Sequence, residues 1–276
     1  ILGPGELLQI AHVLRVASRV KKVIDEYPYK DNIQWIIERV SQLKPHRNLM
    51  EEILRCIESE EHISDHASPQ LAAIRRNIQR ANERIREKLN NMIHSPQYQK
   101  FLQEPIVTIR NDRYVVPVKQ EFRNNVPGLV HDQSSSGATL FIEPMPIVEA
   151  NNQLKELFLK EQKEIERILT ELTDEVEAVN EDIYINIQIL AYLDMVFAKG
   201  SYGRSYRGVK PKIVKERKLN IINGRHPLIK EEEVVPISIR LGDDFTTLVI
   251  TGPNTGGKTV TLKTAGLFVL MAQTEL

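Results

Sequence analysis

The chain has little cysteine and few aromatics, and it lacks both a dominant charge sign and any long apolar run. Its single cysteine, Cys56, excludes an internal disulfide. A lone thiol suits a reducing compartment and is expected here as a packed core group. Lys and Arg number 37 against 37 Asp and Glu, so no global field draws the molecule to nucleic acid or a membrane, and any such attraction is local. Aromatics are 6% and charged residues 27%, a balance that fits long exposed helices better than one compact sphere. No apolar stretch nears the roughly 18 residues that a membrane span requires. The opening ILGPGELL lacks the charged-then-apolar order of a signal peptide. These absences predict a cytoplasmic chain with no membrane partner. It starts at Ile1 rather than Met and stops inside an expected helix, which reads as a fragment of a longer protein.

What is present is mostly helical pattern. Leu7, Leu8, Ile10, Ala11, Leu14, Ala17 and Val20 recur at helical spacing over 5–26. Further patterns over about 31–43 and 48–60 complete a helical core through residue 67, with Trp35, Ile36 and Ile37 expected inside. Ser68 and Pro69 supply an N-cap and a first-turn proline. Leu71, Ile74, Ile78, Ala81, Ile85, Leu89 and Met92 then repeat at steps of three and four until Ser95-Pro96, the seam of an outgoing helix over 68–100. A matching stripe runs from Ile147 through Leu154, Ile168, Leu172 and Val179 to Leu193 with no Pro or Gly before Gly200. It predicts one returning helix over 147–199 within the segment 146–200, roughly 80 Å long, stopped by Gly200.

Between the two helices, residues 101–145 are β-rich. The runs Ile106–Ile109, Tyr114–Val118, Leu129–His131 and Thr139–Ile142 are separated by Asn-Asp, Val-Pro-Gly and Ser-Ser-Ser-Gly turns, which predicts a small sheet capping the arm. Candidate nucleic-acid contacts lie on both parts. Arg76, Arg80, Arg84 and Lys88 form a four-residue stripe that either tracks a phosphate backbone or is an ordinary solvated face, with Glu83 and Glu87 partly offsetting it. Arg110, Arg113, Lys119 and Arg123 add charge to the cap, cancelled by Asp112, Glu121, Asp132 and Glu143. His131 beside Asp132 has no nucleophile or metal partner in sequence, so no catalytic residue is assigned. The basic segment SYGRSYRGVKPKIVKERK, 201–218, is either a further contact or a linker leading to a first strand.

The most specific motif comes last. Gly252, Pro253, Asn254, Thr255, Gly256, Gly257, Lys258 and Thr259 fit G-x-x-x-x-G-K-[ST], whose main-chain N–H groups cradle a triphosphate while Lys reaches the β- and γ-phosphates and the Thr hydroxyl holds Mg²⁺. The runs Val235–Leu241 and Thr246–Ile250 read as consecutive strands ahead of this loop, and an apolar helix follows through Leu267 and Leu270. Residues 201–276 are therefore expected to open an α/β nucleotide-binding domain. Its turn INGRHPLI, 222–229, holds Asn223-Gly224 and a histidine against a proline.

In SMC proteins the phosphate loop comes before the arm. Arm first, then GRHP, then TGPNTGGKT resembles the MutS family, and the likeness runs from the helical core to Thr259. RNDRYVVPVKQEFRNNVPGLVHDQSSSGATLFIEP resembles the clamp tip of the bacterial MutS-two branch. The resemblance implies a mainly α fold with α+β parts: a helical core, a long antiparallel coiled-coil lever, a β-rich clamp and a truncated ABC-type P-loop ATPase domain that dimerises head to head in the intact protein. It implies ATP and Mg²⁺ as cofactors there, and it makes the residues after Pro227 candidates for an adenine pocket. The parent is then an ATPase that acts on branched DNA, restrains recombination and engages stalled ribosomes and their rRNA, with a C-terminal nuclease-like domain. The competing reading is a dimerisation scaffold whose loop only regulates assembly. Acidic and water-positioning groups for hydrolysis follow the first helix in P-loop ATPases. Few residues follow Lys258, so the chain by itself is expected to lack turnover and to bind nucleotide poorly.

Overall fold

The computed structural model describes residues 1–253 and 257–274, which divide into two compact units, Ile1–Ile187 and Gln188–Leu276. In the first unit, α1 (Pro4–Glu26) begins on Gly3, whose N–H donates to Glu6 Oε2 at 2.8 Å with Pro4 at the first helical position. Leu7, Ala11 and Leu14 of its buried face pack with Leu49, Ile53 and Cys56 of α3 (Arg47–Cys56). The 31–43 expectation resolves into a 3₁₀ turn at Lys30–Ile33 and α2 (Gln34–Ser41). Trp35 is 44% exposed rather than core, and Ile36 takes the inward position. The expected helix over 48–60 ends early. Ile57–Ser59 (β1) pairs antiparallel with His62–Ile63 (β2), because Ile57 and Ile63 face each other and are both buried in the core, a gain that overrides local helix preference.

Ser68 caps α4 (Pro69–Ile93) by accepting from Leu71 N at 2.9 Å. Its predicted seam at Leu71, Ile74, Ile78, Ile85 and Leu89 is buried. The short α5 (Pro96–Gln99) follows, and the return is α6 (Met145–Ala178). Ser68 meets Glu164 while Arg75 meets Glu161, and Leu89 shares a cluster with Leu154, so α4 and α6 run antiparallel. The predicted single return helix is interrupted. Val179 leaves the helical well (φ −121°, ψ 16°), and α7 (Asn180–Ser205) restarts after it. The β-branched Val179 tolerates that extended φ, and Asn180 suits a helix start. Gly200 does not stop the helix either: it lies within α7, because glycine permits a C-terminal turn without enforcing one.

The cap is one antiparallel sheet of β3 (Thr108–Arg110), β4 (Arg113–Lys119), β5 (Gly128–Gln133) and β6 (Thr139–Pro144), in the order β3-β4-β6-β5. Asn111 and Asp112 take φ of 50° and 59° in the two-residue turn between β3 and β4, as a tight hairpin requires. Gly128 permits the closest approach in the sheet: a Cβ there would lie 2.2 Å from the Glu143 carbonyl oxygen. Tyr114, Val116, Val118 and Ile142 press on Ile85, Leu89 and Ile147 of the helix pair, each buried aliphatic side chain contributing about 2 kcal/mol.

In the second unit, β7 (Leu219–Gly224) pairs antiparallel with β8 (Ile237–Leu241), and Phe268 of α8 (Lys258–Gln273) closes on Gly224. The strand predicted from Val235 starts at Ile237, just past Pro236, which has no N–H to give a ladder. Thr246–Ile250 forms no strand, and residues 206–218 form none either, because no neighbouring strand among the described residues offers either segment a ladder. No described helix is long and apolar enough to cross a membrane.

Candidate nucleic-acid interface and phosphate loop

The arginines of α4 sort by what they touch. Arg75 is committed inward: its Nη1 donates to Asp65 Oδ1 at 2.5 Å and the Ile63 carbonyl at 2.7 Å, and its Nε donates to Glu161 Oε1 at 2.7 Å. That guanidinium holds the Asp65 carboxyl below the usual carboxylate range. Arg76, Arg80, Arg84 and Lys88 are all exposed and have no hydrogen bond or ion pair among the described residues. At four-residue steps they rise about 6 Å each along the helix.

The cap sorts in the same way. Glu143, fully buried on β6, accepts from Arg113 Nη1 at 2.8 Å, from Asn151 Nδ2 at 2.7 Å and meets His131 Nε2 at 2.5 Å. Arg113 Nη2 donates to Asn152 Oδ1 at 2.7 Å, and Asn151 Nδ2 also reaches the Tyr114 carbonyl at 3.1 Å. Three strands are thereby tied to the first turns of α6 through one carboxylate. Arg113 is thus withdrawn from the predicted surface, since releasing it would strand a buried anion. Arg123 is withdrawn too, because it braces the loop carbonyls of Val126 and Gly128 at 3.5 and 3.0 Å. Arg110 lies over the Phe141 ring at 4.3 Å and pairs with Asp132 at 3.1 Å, leaving a shared charge. Lys119 is half-buried, and its ammonium has no partner among the described residues. The partner of His131 is Glu143, not its sequence neighbour Asp132.

The candidate phosphate loop belongs to the second unit. Asn254, Thr255 and Gly256 lie outside the described residues. Gly252 and Gly257 adopt φ of 140° and 78°, and a Cβ at either would meet nothing within 4 Å, so the glycines answer to backbone conformation and leave open space beside the chain. Pro253 is exposed. Gly257 caps α8, which begins at Lys258, and Lys258 Nζ donates to the Gly252 carbonyl at 2.5 Å. Thr259 is exposed in the first turn of α8. Among the described residues, two glycines at positive φ, a helix N-terminus and an ammonium held at the Gly252 carbonyl are features that an anion-binding loop uses.

No family model matches the chain. Curated relatives do. Endonuclease MutS2 of Acetivibrio thermocellus is 52% identical over 279 residues, that of Alkaliphilus oremlandii 53% over 275, and that of Clostridioides difficile 52% over 276. Each match covers 100% of this chain and 35% of the relative. The chain belongs to the MutS-two branch of the MutS family. It spans about a third of the length of those relatives, and that third holds both the cationic face of α4 and the G-x-x-x-x-G-K-T motif.

A second fastening in the MutS-two chain escaped sequence reasoning. Asp182, just past the Val179 interruption, accepts from Lys44 Nζ at 2.7 Å and faces His46 Nε2 at 2.8 Å. The fully buried Asn186 clasps the Lys44 main chain from both sides, at 2.9 and 2.8 Å. Lys44 and then His46 hold the Asp182 carboxyl below its ordinary range. The only signal in sequence was the polar start Asn180-Glu181-Asp182 inside an otherwise apolar stripe. Cys56 is buried as predicted, and burial pushes its thiol up to about 11, which makes it a packing group with little thiolate at neutral pH.

Proposed function

We propose that this MutS-two chain is the arm and nucleotide-loop portion of an ATP-binding protein that acts on DNA, with α4 and α6 as a lever and the four-stranded sheet as its clamp tip. The observation that carries the reading is the contrast on α4: Arg75 is locked to Asp65 and Glu161, while Arg76, Arg80, Arg84 and Lys88 reach solvent uncommitted. Four cations in a row without internal partners suit a phosphate backbone, and Lys119 and Arg110 extend the surface toward the sheet. At the loop, Gly252–Thr259 would hold ATP, Lys258 exchanging a neutral carbonyl for phosphate oxygens and the Thr259 hydroxyl helping to hold Mg²⁺. Bound nucleotide supplies the energy for head-to-head pairing of two such chains, which would move the arms. Branched DNA, recombination intermediates and stalled ribosomes are the targets this reading admits, and the relatives' name adds a nuclease activity in the longer protein.

The test is salt dependence. Binding to a duplex or four-way junction should weaken steeply with salt, and replacing Arg76, Arg80 and Arg84 with Ala should lower the log–log slope by about 2 to 3. An unchanged slope would return the region to a dimerisation scaffold whose loop regulates assembly.

A further inference from the structure

The helices do not cover the whole inner face of the cap sheet. Ile109 of β3 stands directly opposite Tyr114 of β4, so the two side chains share one face. Tyr114 is 6% exposed and fastened to α4, its hydroxyl donating to Asn82 Oδ1 at 2.9 Å and its ring lying 5.8 Å from the Arg86 guanidinium. Ile109 on the same face is 49% exposed. The outermost strand therefore overhangs the helix pair and leaves a groove of about 720 Å³ between β3 and the last turns of α4.

One wall of that groove is polar and cationic, the other aliphatic. Arg86, Asn90 and His94 line the helix side, and Ile106, Val107 and Ile109 line the strand side. No Asp or Glu among the described residues lines it, although the chain as a whole carries as many acids as bases. Arg86 has no carboxylate partner among the described residues, and His94 engages only Nδ1, on the Asn90 carbonyl at 2.8 Å. β3 is also the first strand of the sheet order, so its outer row of N–H and C=O groups has no partner strand among the described residues. β3, Thr108–Arg110, offers about 10 Å of extended backbone beside the groove.

We propose that this groove binds an extended peptide with alternating apolar and acidic side chains, which adds as a fifth strand on β3. Main-chain hydrogen bonds along the free edge would supply the pairing. Ile106 and Ile109 would take the apolar side chains, and Arg86 with His94 would take the carboxylates. Single-stranded nucleic acid fits this groove less well, because sequence-tolerant binding of bases uses exposed aromatic platforms and the one ring here is packed beneath Arg86. The stripe of Arg76, Arg80 and Arg84 plays no part in the proposal.

The test uses the 276-residue chain and a fluorescein-labelled octapeptide of alternating valine and glutamate, read by fluorescence anisotropy. Saturable binding is expected, weakened about tenfold, or about 1.4 kcal/mol, by Arg86→Glu or by Ile106→Asp. Both side chains are exposed, so thermal melts of the variants should match the parent. A peptide with lysine in place of glutamate should bind Arg86→Glu and not the unaltered chain, a gain that misfolding cannot mimic. The proposal is overturned by no saturable binding of the acidic peptide, by equal binding to folded variants, or by an oligothymidylate that competes for the groove in an Arg86-dependent way.

Discussion

In the first unit, a four-stranded sheet lies on two helices, and its Val115, Val116, Val118 and Ile142 are fully buried. In the second, β7 and β8 form a two-stranded ribbon: Ile221 and Ile239 are covered, but Ile222 is 72% exposed. The strands draw on the same β-branched residues, so composition does not separate them. What separates them is cover, since a sheet buries only the face that another element covers. Their polar fastenings differ likewise. Glu143 joins three strands to α6 out of contact with solvent, whereas the ribbon relies on the solvated pairs Lys218–Asp243 and Arg240–Asp244. Lys218 nonetheless holds the Asp243 carboxyl below its ordinary range.

The sharpest way to break this comparison is at the carboxylates. Glu143→Ala leaves Arg113, His131 and Asn151 facing a void and should cost about 3 to 4 kcal/mol in urea unfolding, whereas Lys218→Ala should cost less than about 1 kcal/mol. Equal losses would mean that the buried network does not pin the first sheet. Cover can be tested next. Ile142→Ala is expected to lower stability by about 2 to 3 kcal/mol, while Ile222→Ala should stay within about 0.5 kcal/mol by the same assay.

A third test moves to the root of the helix pair. Arg167 beside it, with Ser68 donating to it, holds the Glu164 carboxyl below the usual range. A depressed carboxyl stabilises the fold above its unfolded pKa of about 4.3 and loses that contribution as pH falls through the folded value. Glu164→Gln should therefore cost about 1 kcal/mol at pH 7, with solvent at Arg167 allowed for, and the gap to the parent should narrow in melts below about pH 4. The smallest effect is a gain. Gly200 sits within α7, and a methyl group added to its Cα would meet nothing within 4 Å, so Gly200→Ala should raise stability by about 0.5 to 1 kcal/mol in calorimetry.

Much of the first unit is legible in the sequence because its signals are local. Ser68-Pro69 marks the start of α4, steps of three and four mark its buried seam, and Asn111-Asp112 marks the hairpin turn. The features that escape such reading depend on distance along the chain. Glu143 finds Arg113 across 30 residues and His131 across 12, so in sequence its charge looks like a counterweight when it is a buried hub. The β1–β2 hairpin is hidden because Ile57 continues the helical stripe of Leu49, Ile53 and Cys56, and only the core that it shares with Ile63 decides against it. The stop at Val179 carries no Gly or Pro to announce it. At the candidate site, spacing identifies the exposed cations of α4 but does not tell Arg75 from Arg76, because that distinction rests on where Asp65 and Glu161 arrive from elsewhere. Gly252 and Gly257 of the motif take positive φ, as a glycine-rich turn leads one to expect, whereas the run Thr246–Ile250 ahead of them has the apolar content of a strand without, among the described residues, a partner to pair with.

The interruption at Val179 places a joint at the base of a long beam. Just beyond it, Asp182 and Asn186 bolt the chain to Lys44 and its neighbours, so bending applied along α6 meets a single residue outside the helical φ/ψ well before it meets the anchorage. The 34 residues of α6 make a rod of about 51 Å, so a tilt of about ten degrees at that joint would sweep its far end by about 9 Å. A small rotation at the foot is thereby magnified into a displacement of several ångströms at the tip.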